Sequence, residues 1–230
     1  MKIFLSVAVT MALGVVSTTC MADGGNFFVS GDLGQSNYHL DSASVSPSNP
    51  TGNALDQSQT AGAFRFGYRW YSVVDFGLEA GHVDLGQVGA SVNRTFGPPQ
   101  GEFIGSYRET LRDDGWLLGG NLKYDLGSHW YLSARGGWFR SRVQDSGTSL
   151  VSFFCKPGVG YLCPAIAFSS YDSYSVSQNV NGEYVGLGTG FDFSSHVSLG
   201  LSYDYYHSPR LTSGQQINVG LFSVSAEIRF

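Results

Sequence analysis

The chain has 230 residues, a formal net charge of −5 at pH 7 and only 13% charged residues. Typical soluble domains carry about 25% charged residues and nucleic-acid-binding domains are basic, so this composition argues against both classes. The 31 glycines argue against a mainly helical protein. No apolar run after the first 22 residues is long enough for a transmembrane helix.

Residues 1–22 have the pattern of a cleaved signal peptide. A lysine precedes the apolar stretch "IFLSVAVTMALGVV", and the small residues Cys20 and Ala22 occupy the −3 and −1 positions of a cleavage site. A lipoprotein anchor at Cys20 is the alternative, but Ser17 stands where such a site needs leucine. We therefore expect export and a mature chain, residues 23–230, that forms one domain.

The dominant signal in the mature chain is an alternation with a period of two residues. In "AFRFGYRW", Phe64, Phe66 and Tyr68 fall on one face of a strand, and Arg65 and Arg69 fall on the other. Seven other segments alternate in the same way, so the sequence predicts eight β-strands. In chain order the segments are residues 27–34, 63–70, 74–81, 116–126, 130–138, 184–193, 197–206 and 221–230.

Charged and aromatic side chains fall on opposite faces of these strands. A soluble sandwich would bury the apolar face and turn the charged face to water, whereas a membrane barrel does the reverse. The membrane arrangement is favoured because the apolar faces are rich in Trp, Tyr and Phe towards the strand ends, as in interfacial girdles. The charged residues concerned are Asp32, Arg65, Arg69, Asp75, Glu79, Lys123, Asp125, Arg135, Asp192, Asp204, Glu227 and Arg229.

The connections alternate between tight turns and long polar segments. Short periplasmic turns with long extracellular loops are typical of an outer-membrane barrel, and closing the ring leaves no unpaired edge in the bilayer. The turns are residues 71–73, 127–129 and 194–196, and the predicted extracellular loops are residues ~41–58, ~87–112, ~143–179 and ~208–216. The predicted fold class is an all-β, eight-stranded, antiparallel up-and-down transmembrane β-barrel.

The C-terminal strand ends on Phe230 after apolar residues at alternate positions, and it resembles the insertion signal of outer-membrane proteins. The segments "EAGHVDLG", "YVGLGTGFDFSSHVSLGLSYDYY" and "FSVSAEIRF" resemble the small eight-stranded outer-membrane barrels, which include the OmpA transmembrane domain, OmpX and OmpW. The resemblance covers the mature chain. It implies an outer-membrane location in a Gram-negative envelope, insertion by the barrel-assembly machinery, and contact with membrane lipid and lipopolysaccharide.

Six charged residues are predicted to form a network inside the barrel. Unpaired buried charge is costly, so these side chains are expected to pair and to fill the lumen. The alternative is a narrow gate whose pairs exchange partners. A wide channel is not expected, because eight strands enclose an interior only wide enough for side chains. The six residues are Arg65, Arg69, Glu79, Lys123, Arg135 and Glu227.

Cys155 and Cys163 are the two cysteines that remain after processing, and an oxidising compartment favours a disulfide between them. The bridge would lie in the loop predicted at ~143–179, which also carries aromatic residues such as Phe153 and Tyr171. Exposed aromatics on a stapled loop indicate contact with a partner. Packing of these rings on neighbouring loops is the alternative.

Two residue pairs raise the question of a chemical site. His129 and His196 follow aspartates in the similar segments "YDLGSHW" and "FDFSSHV", which we interpret as equivalent tight turns of two hairpins rather than as a metal site. His207 and Ser208 in "YYHSPRL" resemble the pair of the lipid A deacylase PagL. Adjacent strand residues point to opposite faces, and no acid lies between Ser208 and Ala226 to orient the histidine.

The sequence thus predicts a non-catalytic integral barrel with a structural and surface-interaction role, namely envelope integrity and adhesion-like presentation of loops to a host or surface ligand. A narrow channel for small or hydrophobic solutes, in the manner of OmpW, is the alternative. A lipid A-modifying enzyme is a third, weaker reading. We expect a monomer without cofactor, metal or nucleic-acid partner.

Overall fold

The computed structural model describes residues 24–40, 53–56, 58–97, 101–155, 169–208 and 216–230. The predicted signal peptide at residues 1–22 lies outside these ranges, and its cleavage stays a prediction. A search of the described residues finds no helix with the length and hydropathy needed to span a membrane.

Within these ranges the chain forms nine strands, all paired antiparallel. They are β1 (Gly25–Leu40), β2 (Asn53–Asp56), β3 (Ser58–Trp70), β4 (Asp75–Phe96), β5 (Gly101–Asp125), β6 (Trp130–Cys155), β7 (Ser169–Asp192), β8 (Val197–Ser208) and β9 (Ile217–Arg229). Eight of them close into one ring, in which β1 pairs with both β3 and β9 and β4 pairs with β5. The predicted eight-stranded antiparallel barrel is confirmed.

The tight turns at residues 71–74, 126–129 and 193–196 lie at one end of the ring, together with both ends of the described chain. We call this the turn end and the opposite end the open end. The turns are closed by backbone hydrogen bonds, such as Leu126 N–H to the Trp130 carbonyl at 2.8 Å and Phe193 N–H to the Val197 carbonyl at 3.0 Å. The sequence predicted this end to be periplasmic.

The ring is apolar outside and polar inside. Leu187 is 67% exposed although it lies in the middle of a strand, whereas Arg65 and Asp204 are completely buried. Outward aromatic residues mark both borders of the apolar surface, with Trp70 and Trp130 towards the turn end and Trp116 towards the open end. This apolar belt with two aromatic girdles is the surface that a bilayer requires of a barrel.

Strands β4 to β7 run further than the sequence predicted. Much of the loops expected at ~87–112 and ~143–179 is paired strand, since the pairing of β4 with β5 reaches Phe96↔Phe103 and that of β6 with β7 reaches Ser152↔Ser169. These four strands have 22 to 26 residues, whereas β1, β3, β8 and β9 have 12 to 16. They therefore project beyond the open end as a four-stranded sheet.

We call this sheet the extension, and it comprises residues 87–96, 101–112, 144–155 and 169–177. A register shift between Asp84 and Gln87 in β4 marks where it leaves the ring. The short strand β2 pairs with Gly89–Val92 and so covers that part of the β4 edge that faces away from β5. Of the loop predicted at ~41–58, residues 41–52 lie outside the described residues, as do residues 209–215 of the loop predicted at ~208–216.

The apolar belt predicts a depth-dependent cost for outward charge. Leu187→Arg should destabilise the barrel by about 2–4 kcal/mol, because its outward position lies near the middle of the belt. Ser175→Arg, on the same strand but in the extension, should change stability by less than about 0.5 kcal/mol. Urea unfolding in lipid vesicles measures both changes, and equal effects at the two positions would contradict the assignment of the belt.

Candidate functional site

The interior of the ring has a polar layer towards the turn end and an apolar layer towards the open end. Both layers consist of inward side chains of the same strands, since every second residue of a strand faces the lumen. The side chains of the apolar layer include Val83, Leu85, Leu117, Phe139, Val143, Ile217, Val219 and Leu221, all buried. The lumen is therefore filled with apolar side chains on the side that faces the extension.

Arg65 is the centre of the polar layer. Its guanidinium pairs with Asp32 and lies 3.4 Å from Asp204 Oδ2. It also donates from Nη2 to the hydroxyl of Tyr206 at 3.0 Å, and its Nε lies 3.9 Å from Glu79 Oε1. These partners come from three different strands, β1, β4 and β8, so Arg65 ties separate walls of the ring together.

A second arginine shares these partners. Arg135 donates to Asp204 through Nε and Nη2, both at 2.6 Å, and to Ser202 Oγ at 2.9 Å. The Tyr184 hydroxyl donates to Glu79 Oε1 at 2.8 Å. Asp204 thus accepts hydrogen bonds from two guanidinium groups, which compensates for the burial of all three charges.

Nearer the turn end the lumen holds a second tier of ion pairs. Arg69 makes a two-pronged contact with Glu227, with N–O distances of 2.8 and 3.0 Å. Lys123 Nζ donates to Asp192 Oδ2 at 2.7 Å, and Arg229 pairs with the other oxygen of the same carboxylate. Bidentate and shared contacts of this kind fix side chains more firmly than single pairs.

All six residues of the predicted network lie on the lumen face, but the prediction left out four of their charged partners in the lumen. These are Asp32, Asp192, Asp204 and Arg229, which the alternation had placed on the charged face without assigning them to the network. With them the network has five acidic and five basic residues and no net formal charge; the exposed Asp125 lies 3.5 Å from Lys123 at its margin. Its function as a support of the lumen stays a prediction.

A polar cavity of about 50 Å³ lies inside this network. Asp32 Oδ1 and Asn121 Nδ2 are buried without a hydrogen-bond partner, and both residues line the cavity. A water molecule needs about 10–15 Å³ of such space and two to four polar partners. The cavity therefore has room for a few water molecules that would satisfy these groups.

Asp113 is a buried acid beside the apolar layer, on the open-end side of the belt border at Trp116. The Ser141 hydroxyl donates to its Oδ1 at 2.5 Å, whereas its Oδ2 has no partner among the described residues. Burial raises the pKa of Asp113 to about 7, and repulsion from Asp114 and Asp84 acts in the same direction. The sequence reading missed this residue because it falls just beyond the loop expected at ~87–112.

The remaining predicted sites are placed only in part. Cys155 is the last residue of β6, and Cys163 lies outside the described residues, so the disulfide stays a prediction. The backbone N–H of Phe230 donates to the Phe27 carbonyl at 2.9 Å, which joins the chain end to β1. The part of Phe230 in recognition during insertion also stays a prediction.

The pair His207 and Ser208 and the pair His129 and His196 do not assemble a catalytic or metal site in the described chain. Ser208 is buried in the lumen, whereas His207 faces outward with Nδ1 2.7 Å from Asn218 Oδ1. His129 and His196 lie in separate tight turns, each beside the hydroxyl of the preceding serine. Among the described residues no group of three or more His, Cys, Asp or Glu could hold a metal ion.

The extension has one strand edge that the described chain leaves uncovered. In β7, Asp192 N–H donates to the carbonyl of His129 beside β6, and Phe193 N–H donates towards β8. The pairing of β6 with β7 continues without a register shift to Ser169. The odd-numbered residues of β7 therefore point their N–H and C=O groups away from β6 throughout the strand.

Strand β8 meets these groups only within the ring. It ends at Ser208, and the last residue of β7 that it pairs with on the open-end side is Glu183. From Ser169 to Ser177 every residue is exposed, and no described strand lies on that side. One N–H group of this run has a local acceptor, since Ser173 N–H donates to Asp172 Oδ1 at 2.9 Å. We call residues 169–177 the free edge.

A closed antiparallel ring with an apolar outer belt, aromatic girdles and a charged interior defines an integral β-barrel of the outer membrane. The chain is a barrel of this class, in the outer membrane, as the sequence predicted. No family model matches the sequence, and a search of curated proteins finds no relative.

Solved structures that resemble the chain are small outer-membrane proteins. Ail, the attachment invasion locus protein of Yersinia pestis, is 17% identical, with 91% of this chain and 100% of that chain covered and a TM-score of 0.39. Neisserial surface protein A is 12% identical, with 90% and 100% covered and a TM-score of 0.40. OprG from Pseudomonas aeruginosa is 14% identical, with 90% and 96% covered and a TM-score of 0.39. The strand pairing of this chain, and not these likenesses, defines its fold.

The lumen network predicts a large effect at its shared acceptor. Asp204→Asn should destabilise the barrel by about 3–5 kcal/mol, because it leaves the charges of Arg65 and Arg135 without their common counter-charge. Asp125→Asn is the matched control, since the Asp125 side chain is 56% exposed, and it should cost less than about 1 kcal/mol. Urea midpoints in lipid vesicles report both, and similar costs would refute the role of Asp204.

Asp113 predicts a pH dependence with a definite sign. Its folded pKa of about 7 lies above the ordinary value of 3.8, so the unfolded chain releases this proton first as the pH rises. Stability should therefore fall between about pH 4 and pH 7, by at most about 4 kcal/mol from this residue. Asp113→Asn should remove that slope and Asp172→Asn should keep it. A wild-type slope in Asp113→Asn, measured by unfolding across this range, would contradict the assignment.

Proposed function

We propose that the protein is a surface-interaction barrel that binds an extended polypeptide segment along the free edge of β7. The ring anchors it in the membrane, and the extension carries the binding strand into the extracellular space. The observation that supports this proposal is the free edge itself, a run of backbone donors and acceptors with no partner strand in the described chain.

The free edge has none of the features that usually protect a strand edge. Natural edge strands are guarded by lysine, proline, bulges or very short length. Residues 169–177 read "SSYDSYSVS", with one charged residue and neither lysine nor proline, and their pairing with β6 has no bulge. The opposite edge of the extension is covered by β2 at Gly89–Val92. No described strand covers any part of the free edge, which favours a binding role.

Strand addition also explains how a barrel whose described lumen is filled with side chains can bind a partner. An added strand gains affinity from main-chain hydrogen bonds, while its alternate side chains provide specificity. The odd-numbered residues of the free edge are Ser169, Tyr171, Ser173, Ser175 and Ser177. Their small or planar side chains leave room for an incoming backbone.

Lipid contact and a structural contribution to the envelope belong to the same proposal. Arg140 follows the outward Trp138 along β6, and Arg112 follows Trp116 towards the open end of β5. Both are exposed cations at the border of the apolar belt, where the phosphates of lipopolysaccharide lie. We expect the barrel to act as a monomer, since its ring closes within one chain.

The two alternatives from the sequence receive less support. A channel for small or hydrophobic solutes would have to pass the layer around Leu117, Phe139 and Leu221, where buried side chains fill the lumen. An acyl-transfer enzyme would need His207 and Ser208 on one face, but they fall on opposite faces of β8.

The proposal predicts that removing donors from the free edge abolishes binding. Ser173→Pro with Ser175→Pro deletes two N–H groups that point away from β6, so the ladder within the extension is kept. Two lost hydrogen bonds of about 1 kcal/mol each should weaken peptide binding at least about 10-fold. The measurement is binding of the refolded barrel in nanodiscs to an array of peptides of about 12 residues, a long strand.

The matched control is Ser173→Ala with Ser175→Ala, which removes the same hydroxyls and keeps the backbone donors. It should bind as the wild type does. Heat-modifiable gel migration should show that both double variants keep the barrel. Equal binding by the proline and the wild-type chains would refute strand addition at this edge.

A further inference from the structure

One face of the extension carries three carboxylates and two tyrosines. This inner face consists of the side chains that continue the lumen face of the ring, which are the odd-numbered residues of β5 and β6 and the even-numbered residues of β7. Beyond the register shift it also includes the even-numbered positions of β4, from Val88 onward. Its polar and aromatic members with described side chains include Tyr107, Glu109, Asp145, Asp172 and Tyr174. The outer face of the same strand carries cations instead, namely Arg108 and Arg112.

The pairing register brings these residues into neighbouring rows. Glu109 pairs with Gly147, and Gly147 pairs with Tyr174, so the acid and the phenol lie on either side of one glycine. A Cβ at position 147 would clash with the ring of Tyr174, which therefore lies across bare backbone. The hydroxyl of Tyr174 donates to Asp145 Oδ1 at 3.5 Å in the next row.

Among the side chains that the structure describes, none forms an ion pair with Glu109, Asp145 or Asp172. Burial raises the pKa of Glu109, and the neighbouring Asp145 carboxylate adds to this effect. Burial also raises the pKa of Asp145. A cation bound beside Glu109 and Asp145 would stabilise their ionised forms and so lower both pKa values.

A strand added to the free edge would place side chains directly beside this face. Its inner side chains would stand opposite Asp172 and Tyr174, at the distance of about 4.5–5.5 Å at which cross-strand pairs interact. Opposite-charge pairs across a sheet are favourable and like-charge pairs are not. An aromatic ring also attracts a cation placed over its face.

We propose that the free edge selects an extended segment with Lys or Arg at the two alternate positions that face Asp172 and Tyr174. The other face of the segment, next to Tyr171, Ser173 and Ser175, would carry small polar residues. This inference rests on the proposed function and adds the chemistry of the partner. The partner is a cationic, β-forming polypeptide segment, because main-chain pairing and charge complementarity act on the same strand.

The test uses three synthetic peptides of about 12 residues, in which threonine alternates with Lys, Gln or Glu. Against the refolded barrel in nanodiscs at about 0.15 M salt, the Thr-Lys peptide should bind about 10-fold more tightly than the Thr-Gln peptide, and the Thr-Glu peptide should bind least. The variant Glu109→Gln with Asp172→Asn should lose the preference for Lys. Asp75→Asn with Asp125→Asn, at the turn end, removes the same charge and should keep it.

The outcomes separate this inference from the proposed function. If all three peptides bind equally and Ser173→Pro with Ser175→Pro abolishes their binding, strand addition stands and the cationic preference is wrong. If the Thr-Lys peptide binds but the Glu109→Gln, Asp172→Asn variant keeps the preference, the inner face does not select and the inference is also wrong. If Thr-Lys binding survives the proline substitutions, strand addition itself is refuted.

Discussion

The requirement that every backbone N–H and C=O group find a partner controls this structure. Inside a bilayer no water is present to satisfy an open strand edge, so the eight strands must close into a ring. Pairing between β1 and β9 completes that closure, and the N–H of Phe230 adds one more bond to Phe27. Outside the bilayer water satisfies an open edge, and there the described strands leave one side of β7 uncovered. The barrel and its proposed binding edge thus follow from one rule applied in two solvents.

The lumen solves a related problem with charge. Ten charged side chains, seven of them buried, share a space that admits few waters, and their formal charges cancel. Asp204 contacts two cations in the polar layer, and Asp192 contacts two cations nearer the turn end. Above this network the side chains become apolar, and among the described residues Asp113 is the one charge in the interior near the extension. The division explains why the charged lumen need not be a conducting path.

Much of the ring could be predicted from the sequence because one physical signal marks it. Every second residue of a strand faces lipid and must be apolar, as Phe64 and Leu187 are. The residues between them, such as Arg65 and Gly186, face a crowded interior. The signal ends where lipid ends. In the extension, outward residues such as Ser173, Ser175 and Thr148 are polar, as they would be in a loop. The strands β4 to β7 were therefore predicted too short. The missed partners Asp32 and Asp204 show a second limit, since face assignment does not say which strands meet across a lumen.

Amide hydrogen exchange along β7 tests the central claim most directly. In the refolded barrel in nanodiscs, the amides of Tyr171, Ser175 and Ser177 should exchange at nearly the rate of an open chain, because they point into water. The alternate amides of Asp172, Tyr174 and Val176 point towards β6 and should exchange much more slowly. This two-residue alternation is the result that the account predicts. Uniform protection of all six amides would show that another segment covers the edge and would contradict it.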